Sequence, residues 1–159
     1  MDEIKELLIK KFVEIKERIL MVLDQLDDQE LNWKPNEMSN SVANLIVHIN
    51  ANISERIGKG MGHQEYTRDR SAEFEKLYKS KLELIEMINQ SFDETIETLA
   101  HMNEDQFKNT QIVRDRERTH LDMFIQCATH FSEHMGQILY LGKILKNNDY
   151  QSTSIPKGK

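Results

Sequence analysis

Cysteine is almost missing from this chain. Cys127 stands alone among 159 residues, so no internal disulfide, no C-x-x-C redox pair and no thiolate zinc cage can be built. Glycine and proline are scarce, six and two respectively, which argues against a sheet with many tight turns and for long helices. No uninterrupted apolar run reaches membrane-spanning length, and the start, Met-Asp-Glu-Ile-Lys-Glu, is acidic and amphipathic rather than basic and then apolar. Neither a membrane span nor a secretory signal is therefore expected, and the expected location is the cytoplasm. Positive charge is also in deficit: 21 Lys+Arg against 27 Asp+Glu give a net charge of −6, which opposes tracking along a phosphate backbone and argues against a nucleic-acid partner.

What is present is helical periodicity. Ile4, Leu7, Leu8, Phe12, Ile15, Ile19, Val22, Leu23 and Leu26 recur at the spacing of one helical face. Asp27-Asp28 interrupts the pattern, and Trp33 ahead of Pro35 reads as a rigid connector whose indole packs on the fold. A second helix is expected from a cap at Ser39 to Ser41 to about Ile57, ended by Gly58, with Val42, Leu45, Ile46, Ile49 and Ile53 inward. After a glycine-containing connector, a third helix is expected from a cap at Asp69 or Ser71 to about His101, with Phe74, Leu77, Tyr78, Ile85, Ile88, Phe92, Ile96 and Leu99 inward. Residues 102–118 read as a polar connector. Thr119, with Asp122 in the reach-back position of a capping box, opens the last helix. The chain thus predicts an all-α, antiparallel four-helix bundle in one domain, residues 1–146, followed by a mobile tail, 147–159.

The chemistry is carried by histidine. His130 and His134 are four residues apart in the last helix, so their rings stand roughly 40° apart around the axis and about 6 Å along it, close enough to grip one ion. Of the other four histidines, only His48 lies at mid-helix height, whereas His63, His101 and His120 fall in connectors or at helix ends. All three candidates sit on a flank of their apolar stripe, about 70–120° from its centre. That placement suggests an open three-ligand site at the lip of a cleft between the second and last helices, for which neutral imidazole admits Zn, Ni, Cu or Fe. A lone flank histidine is more often simply half-buried, and it is the shared depth and azimuth of three that favours a site.

His130-Phe131-Ser132-Glu133-His134 also spells H-x-x-E-H, the inverted zincin signature. Its further downstream carboxylate has only Asp149 to supply it, so Glu133 is read as a supporting or solvent-facing residue and a peptidase as the lesser reading. Asn44, Asn52 and Glu55 continue His48's side of its helix. A solvated flank is expected for Asn44 and Glu55, while Asn52, nearer the apolar stripe, is a candidate site residue, as are Glu133 and Gln137. Cys127 is read as core, Gly136 as a point of close helix approach, and Met61, Met87, Met123 and Met135 as core or interface filler.

Leu31-x-Trp33-Lys34-Pro35, Ser41-Val42-Ala43-Asn44-Leu45-Ile46-Val47-His48 and His130-x-x-x-His134-x-Gly136-Gln137 together resemble the DinB-like (YfiT-like) four-helix-bundle metalloenzymes, over almost the whole chain. That superfamily includes bacillithiol- and mycothiol-dependent S-transferases, and Arg68-Asp69-Arg70-Ser71-Ala72-Glu73-Phe74 looks like a related branch rather than a proven transferase. The resemblance carries the family's three metal ligands onto His48, His130 and His134, and implies Ni or Zn and a homodimer built through helix faces. It also implies a low-molecular-weight thiol as a possible cofactor, with Arg68 and Arg114 as candidates for attracting it. The expected function is a divalent-metal-dependent enzyme, a thiol S-transferase or hydrolase acting on a small molecule. The alternative is a non-catalytic metal-binding or stress-response dimeric bundle, because no residue is placed by motif as a general acid or base.

Overall fold

The computed structural model describes residues 2–75 and 77–155. Four long helices carry the core: α1 (Asp2–Gln25), α3 (Val42–Ile53), α4 (Lys81–His101) and α6 (His120–Lys146). Two short helices, α2 (Asp28–Asn32) and α5 (Glu104–Lys108), and a hairpin, β1 (Thr110–Val113) and β2 (Arg116–Thr119), fill the connections. The bundle is cyclic: α1 packs on α4 and α6, and α3 packs on the same two. The expected neighbours, the second and last long helices, are therefore side by side.

Local chemistry sets the helix ends. Asp27, Ser41, Ser80 and Asn103 each close a capping box with the residue three positions on, satisfying backbone N–H groups that a helix start leaves open. Thr119 caps α6 through the Asp122 N–H, while the Asp122 carboxylate takes Arg118 at 2.7 Å instead of reaching back. At the centre of the core, Phe12 of α1 meets Phe92, Phe124 and Phe131 at centroid distances of 6.3–6.5 Å. Such ring pairs each add about 0.5–1.5 kcal/mol beyond area burial.

Helix directions follow from the tie points. Lys5, near the start of α1, donates to the carbonyls of Ala100 and Met102 at the end of α4, and Lys81, at the start of α4, donates to Asp24 near the end of α1. These two helices are antiparallel. Pro35, Leu45, Gln137 and Ile144 share one groove, so α3 begins beside the end of α6 and runs against it. Val22, late in α1, lies against Gly142, late in α6, so those two helices run the same way; α3 and α4 therefore also share a direction, and the chain between them must return along the length of the bundle.

That return path corrects the expected third helix. Asp69 does accept from the N–H groups of Ser71 and Ala72, but only turns follow, and α4 starts at the Ser80 cap. Phe74 and Tyr78, expected inward, are exposed, whereas Glu73 is buried. The second helix also runs past its expected end, continuing as a π-helix over Ser54–Lys59, and the polar connector 102–118 holds α5 and the hairpin. Trp33, expected to pack, remains 39% exposed. The close helix approach is at Gly142, where an added Cβ would lie 2.9 Å from Val22, whereas Gly136 has nothing within 4 Å.

Of the tail expected to be mobile, Tyr150 packs on the core, and Gln151 and Thr153 hydrogen-bond to Gln25 and Arg18 of α1. Residues 156–159 lie outside the described residues. Among the described residues no helix is long and apolar enough to cross a membrane.

The position of the α4 start is testable. Ser80→Ala should lower unfolding free energy by about 1 kcal/mol, the usual value of an N-cap, while Ser71→Ala should change it by less than about 0.5 kcal/mol. Urea denaturation of both variants measures this, and the reverse order would place the helix start at the earlier serine.

Candidate metal centre

Three imidazoles meet between α3 and α6. His48 Nε2 lies 3.0 Å from His130 Nε2, which lies 3.2 Å from His134 Nε2, and one ring nitrogen from each of the three lies within 4.8 Å of the others. Nitrogens bound to one ion at about 2.0–2.1 Å stand roughly 2.9–3.4 Å apart, so the donor set fits a divalent metal. His130 and His134 share the α6 face as their spacing predicts. His48, by contrast, is 5% exposed, deeper than a flank position implies, because the return segment covers that flank.

The outward ring atoms are held as well. His48 Nδ1 is 2.7 Å from Glu73 Oε2, and Arg68 donates to both Glu73 oxygens, from Nε at 2.5 Å and from Nη2 at 2.8 Å. Burial raises the Glu73 pKa, but the Arg68 and His48 contacts outweigh it and the net direction is down. The carboxylate is thus ionised and can only accept, so His48 carries its hydrogen on Nδ1 and has its lone pair on Nε2, the nitrogen beside His130. Likewise His134 Nδ1 is 2.8 Å from Gln137 Oε1, an acceptor that leaves the His134 Nε2 lone pair facing the centre. A carboxylate or amide behind a ligating imidazole fixes its tautomer and orientation.

Burial and neighbouring charge disfavour protonation of two of the rings. Burial, then the nearby His134, His48, Arg56 and Arg68, bring His130 down to about 4. His48 is also lowered, by burial ahead of the opposing Glu73 hydrogen bond. Neutral imidazole is the form that ligates.

The remaining sequence candidates separate. Asn52 is buried; its Nδ2 lies 3.2 Å from His48 Nε2 and donates to the His48 carbonyl at 3.1 Å, while its Oδ1 is buried without a partner among the described residues. Glu133 is 76% exposed, with Oε2 3.9 Å from His130 Nδ1, beyond hydrogen-bond reach. Gln137 supports His134. Arg68 does not stand free at the mouth, for Glu55 at 2.8 Å and Glu73 occupy it, whereas Arg114 lines the cleft beside His48 and His130. Asn44, expected in solvent, is buried, and its Nδ2 donates to the Glu73 and Glu75 carbonyls. Cys127 lies in the core, where burial pushes its thiol up to about 11.

Sequence reasoning missed Glu73. Its one signal in the sequence is a carboxylate three residues after the charged run Arg68-Asp69-Arg70, at the expected start of the third helix.

A helical bundle with three converging histidines defines the class of protein, and comparison with known structures agrees on the fold. A conserved protein from Enterococcus faecalis superposes with a TM-score of 0.73 at 16% identity, covering 87% of this chain and 95% of that one. A DinB-like protein from Bacillus subtilis gives 0.67 at 14% identity, with coverages of 92% and 96%. A DinB-like protein from Bacillus cereus gives 0.68 at 15% identity, with coverages of 87% and 90%. The fold is DinB-like. Over residues 2–159 the sequence matches the family described as "Protein of unknown function (DUF1572)", and the chain belongs to that family. No curated protein matches it.

The lowered His130 value has a consequence for acid stability. With a folded pKa of about 4 against an ordinary 6.5, the unfolded chain takes up the proton first, so this contribution is fully present above the ordinary value and is lost as pH falls toward the folded one. Glu73, also lowered, adds a loss that begins only near its ordinary 4.5. The melting temperature of metal-free protein should therefore fall between pH 6.5 and 4, and His130→Gln should flatten that fall. An unchanged slope in the variant would contradict the assignment.

Proposed function

We propose that His48, His130 and His134 hold a divalent metal, Ni or Zn, and that the protein is a metal-dependent enzyme acting on a small molecule by thiol S-transfer or hydrolysis. One observation carries the reading: three Nε2 atoms converge while Glu73 and Gln137 hold the outward nitrogens of two of the rings. A divalent ion with open positions supplies Lewis acidity, lowering the pKa of a water or thiol so that a nucleophile exists at neutral pH, a step the two reactions share.

The chain's own residues have definite parts. Arg68 keeps Glu73 ionised, and Glu73 keeps the His48 proton on Nδ1. The ring of Phe74, 5.1 Å from that of His48, shields one side from water. Asn52 Oδ1, buried and without a partner among the described residues, is placed to accept from an O–H or S–H donor brought beside the histidines. A low-molecular-weight thiol fits this reading as co-substrate. A homodimer belongs to it too: Met38, Tyr140 and Ile144 are exposed apolar side chains around the α3/α6 groove, a surface a second copy would cover.

The second reading, a non-catalytic metal-binding or stress-response module, is favoured by a specific observation. The carboxylates nearest the histidines are Glu73, already engaged by two partners, and Glu133, turned to solvent. Neither is held within hydrogen-bond reach of the converging Nε2 atoms as a general base would be.

Elemental analysis of purified protein should find about one metal per chain, lost in His48→Ala, His130→Ala and His134→Ala; stoichiometric metal in all three would sink the site. Glu73→Gln, which keeps the shape but removes the charge, should weaken metal affinity about 10–100-fold. Thiol transfer to small electrophiles, with and without metal, then separates the two readings: no metal-dependent turnover with several thiols favours the module.

A further inference from the structure

Beside the histidines lies a second feature that the three-His reading does not use. A cleft of about 320 Å³ has His48, Asn52 and His130 on one side and Arg56, Arg70 and Arg114 on the other. The same three arginines line an adjoining cleft of about 450 Å³ that extends to the hairpin at Gln111 and Val113. The two form a trough of ordinary ligand-site size.

These cations are not neutralised as their neighbour is. Arg68 is held by two carboxylates, whereas Arg56, Arg70 and Arg114 have no ion pair among the described residues, and Arg56 Nε is buried without an acceptor. Each reaches the trough from a different element. Arg56 comes from the π-helical turn that extends α3, a geometry often found at functional sites. Arg70 comes from the return segment. Arg114 sits at the hairpin turn with φ 49°, followed by Asp115 at φ 62°, left-handed conformations that cost a non-glycine residue about 1 kcal/mol or more. Gly60 lets the hairpin dock, since a Cβ there would strike Gln111 and the Arg56 carbonyl, and Gln111 Nε2 donates to that carbonyl at 3.0 Å. Among the described residues Glu133 is the only carboxylate lining the inner cleft, and it is solvent-facing. Glu55 lines the outer cleft but is taken by Arg68 at 2.8 Å, so Arg56, Arg70 and Arg114 share the trough without an ion-pair partner among the described residues, and an oxyanion between them would offset their mutual repulsion with bidentate, charge-assisted hydrogen bonds.

We infer that the trough formed by Arg56, Arg70 and Arg114 binds an oxyanion group, a carboxylate or phosphate, of the small-molecule substrate or co-substrate, with the rest of that molecule directed at His48 and His130. The anion site stands on the arginines alone; its role in orienting a substrate rests on the three-His reading.

Inorganic phosphate and succinate serve as probes, with succinate dimethyl ester as the uncharged control, titrated calorimetrically into protein as purified and after chelation. Arg70 and Arg114 are exposed and their replacement spares the core, so Arg70→Ala and Arg114→Ala are the test variants. Arg116→Ala, on the hairpin but outside the trough, controls for general surface charge. At least one probe should bind both protein forms, and each trough variant should weaken it at least about tenfold, the worth of one charge-assisted hydrogen bond, with Arg116→Ala unchanged. Phosphate alone or succinate alone identifies the oxyanion class; either supports the site. Equal loss in Arg116→Ala, equal binding of the diester, no binding of either probe, or binding abolished by chelation yet indifferent to the arginine variants would each overturn it. Failure of the three-His reading would show instead as absent metal with anion binding intact.

Discussion

The contact on which the site depends is a buried carboxylate. Glu73 is 2% exposed, and a carboxylate that deep is tolerated only if its charge is met and its lone pairs are filled. Arg68 and His48 do both. Because this partnership is many-sided, it prevails over the helical tendency of residues 71–78 and holds the return segment flat along α3. Asn44 secures the same stretch by donating to the Glu73 and Glu75 carbonyls, so the residue that completes the α3 capping box also fastens the strap. The strap in turn buries His48 and selects its tautomer. Removing any one member leaves a buried charge or donor without its partner, a larger loss than the contact itself is worth.

The bundle direction explains why such a strap exists. With α3 and α4 running the same way, the chain must travel the full length between them, and its route passes the flank on which His48 lies. An antiparallel pair would need only a short turn, leaving that flank to solvent. The crossover and the site are therefore one design, and the π-helical end of α3 belongs to it: the widened turn carries the chain from His48 and Asn52 to Arg56, and from there into the crossover.

How much of this the sequence discloses follows the range of the forces involved. Where a helix is amphipathic and locally capped, as in α1 and α6, its face and its cap at Thr119 are written in nearby residues, and the His130/His134 pair is read from spacing alone. His48 was reachable because mid-helix depth is also a local property. Glu73 was not, because its partners lie 25 residues back in α3 and five back in the strap, and nothing in its neighbours reveals a long-range ion pair. The same holds for α4: Asp69 and Ser71 are competent caps and Phe74, Leu77 and Tyr78 continue the apolar period, yet tertiary contacts to Glu73 overrode propensity. Gly136 and Gly142 were indistinguishable by type, and only the packing of Val22 and Tyr150 against Gly142 shows which one the bundle needs.

The lowered proton affinity of His48 and His130 and the positive wall beside them are mutually consistent. Arg56 and Arg68 both disfavour protonation of His130, so they help keep it in the form that ligates. The same cations would repel a divalent ion, and the chain offsets this unequally. Arg68 is overcompensated by Glu55 and Glu73, whereas Arg56, Arg70 and Arg114 are left on the open side. An ion at the histidines would add to that open-side charge, and in a partly desolvated cleft the attraction for an anion grows as the local dielectric falls. The trough is then the natural entry for a molecule that carries its negative group away from its reacting atom: the arginines hold the first and the histidine face receives the second. A neutral molecule of the same size would leave three cations unmatched, so the charge of the ligand, more than its shape, is what this cleft selects.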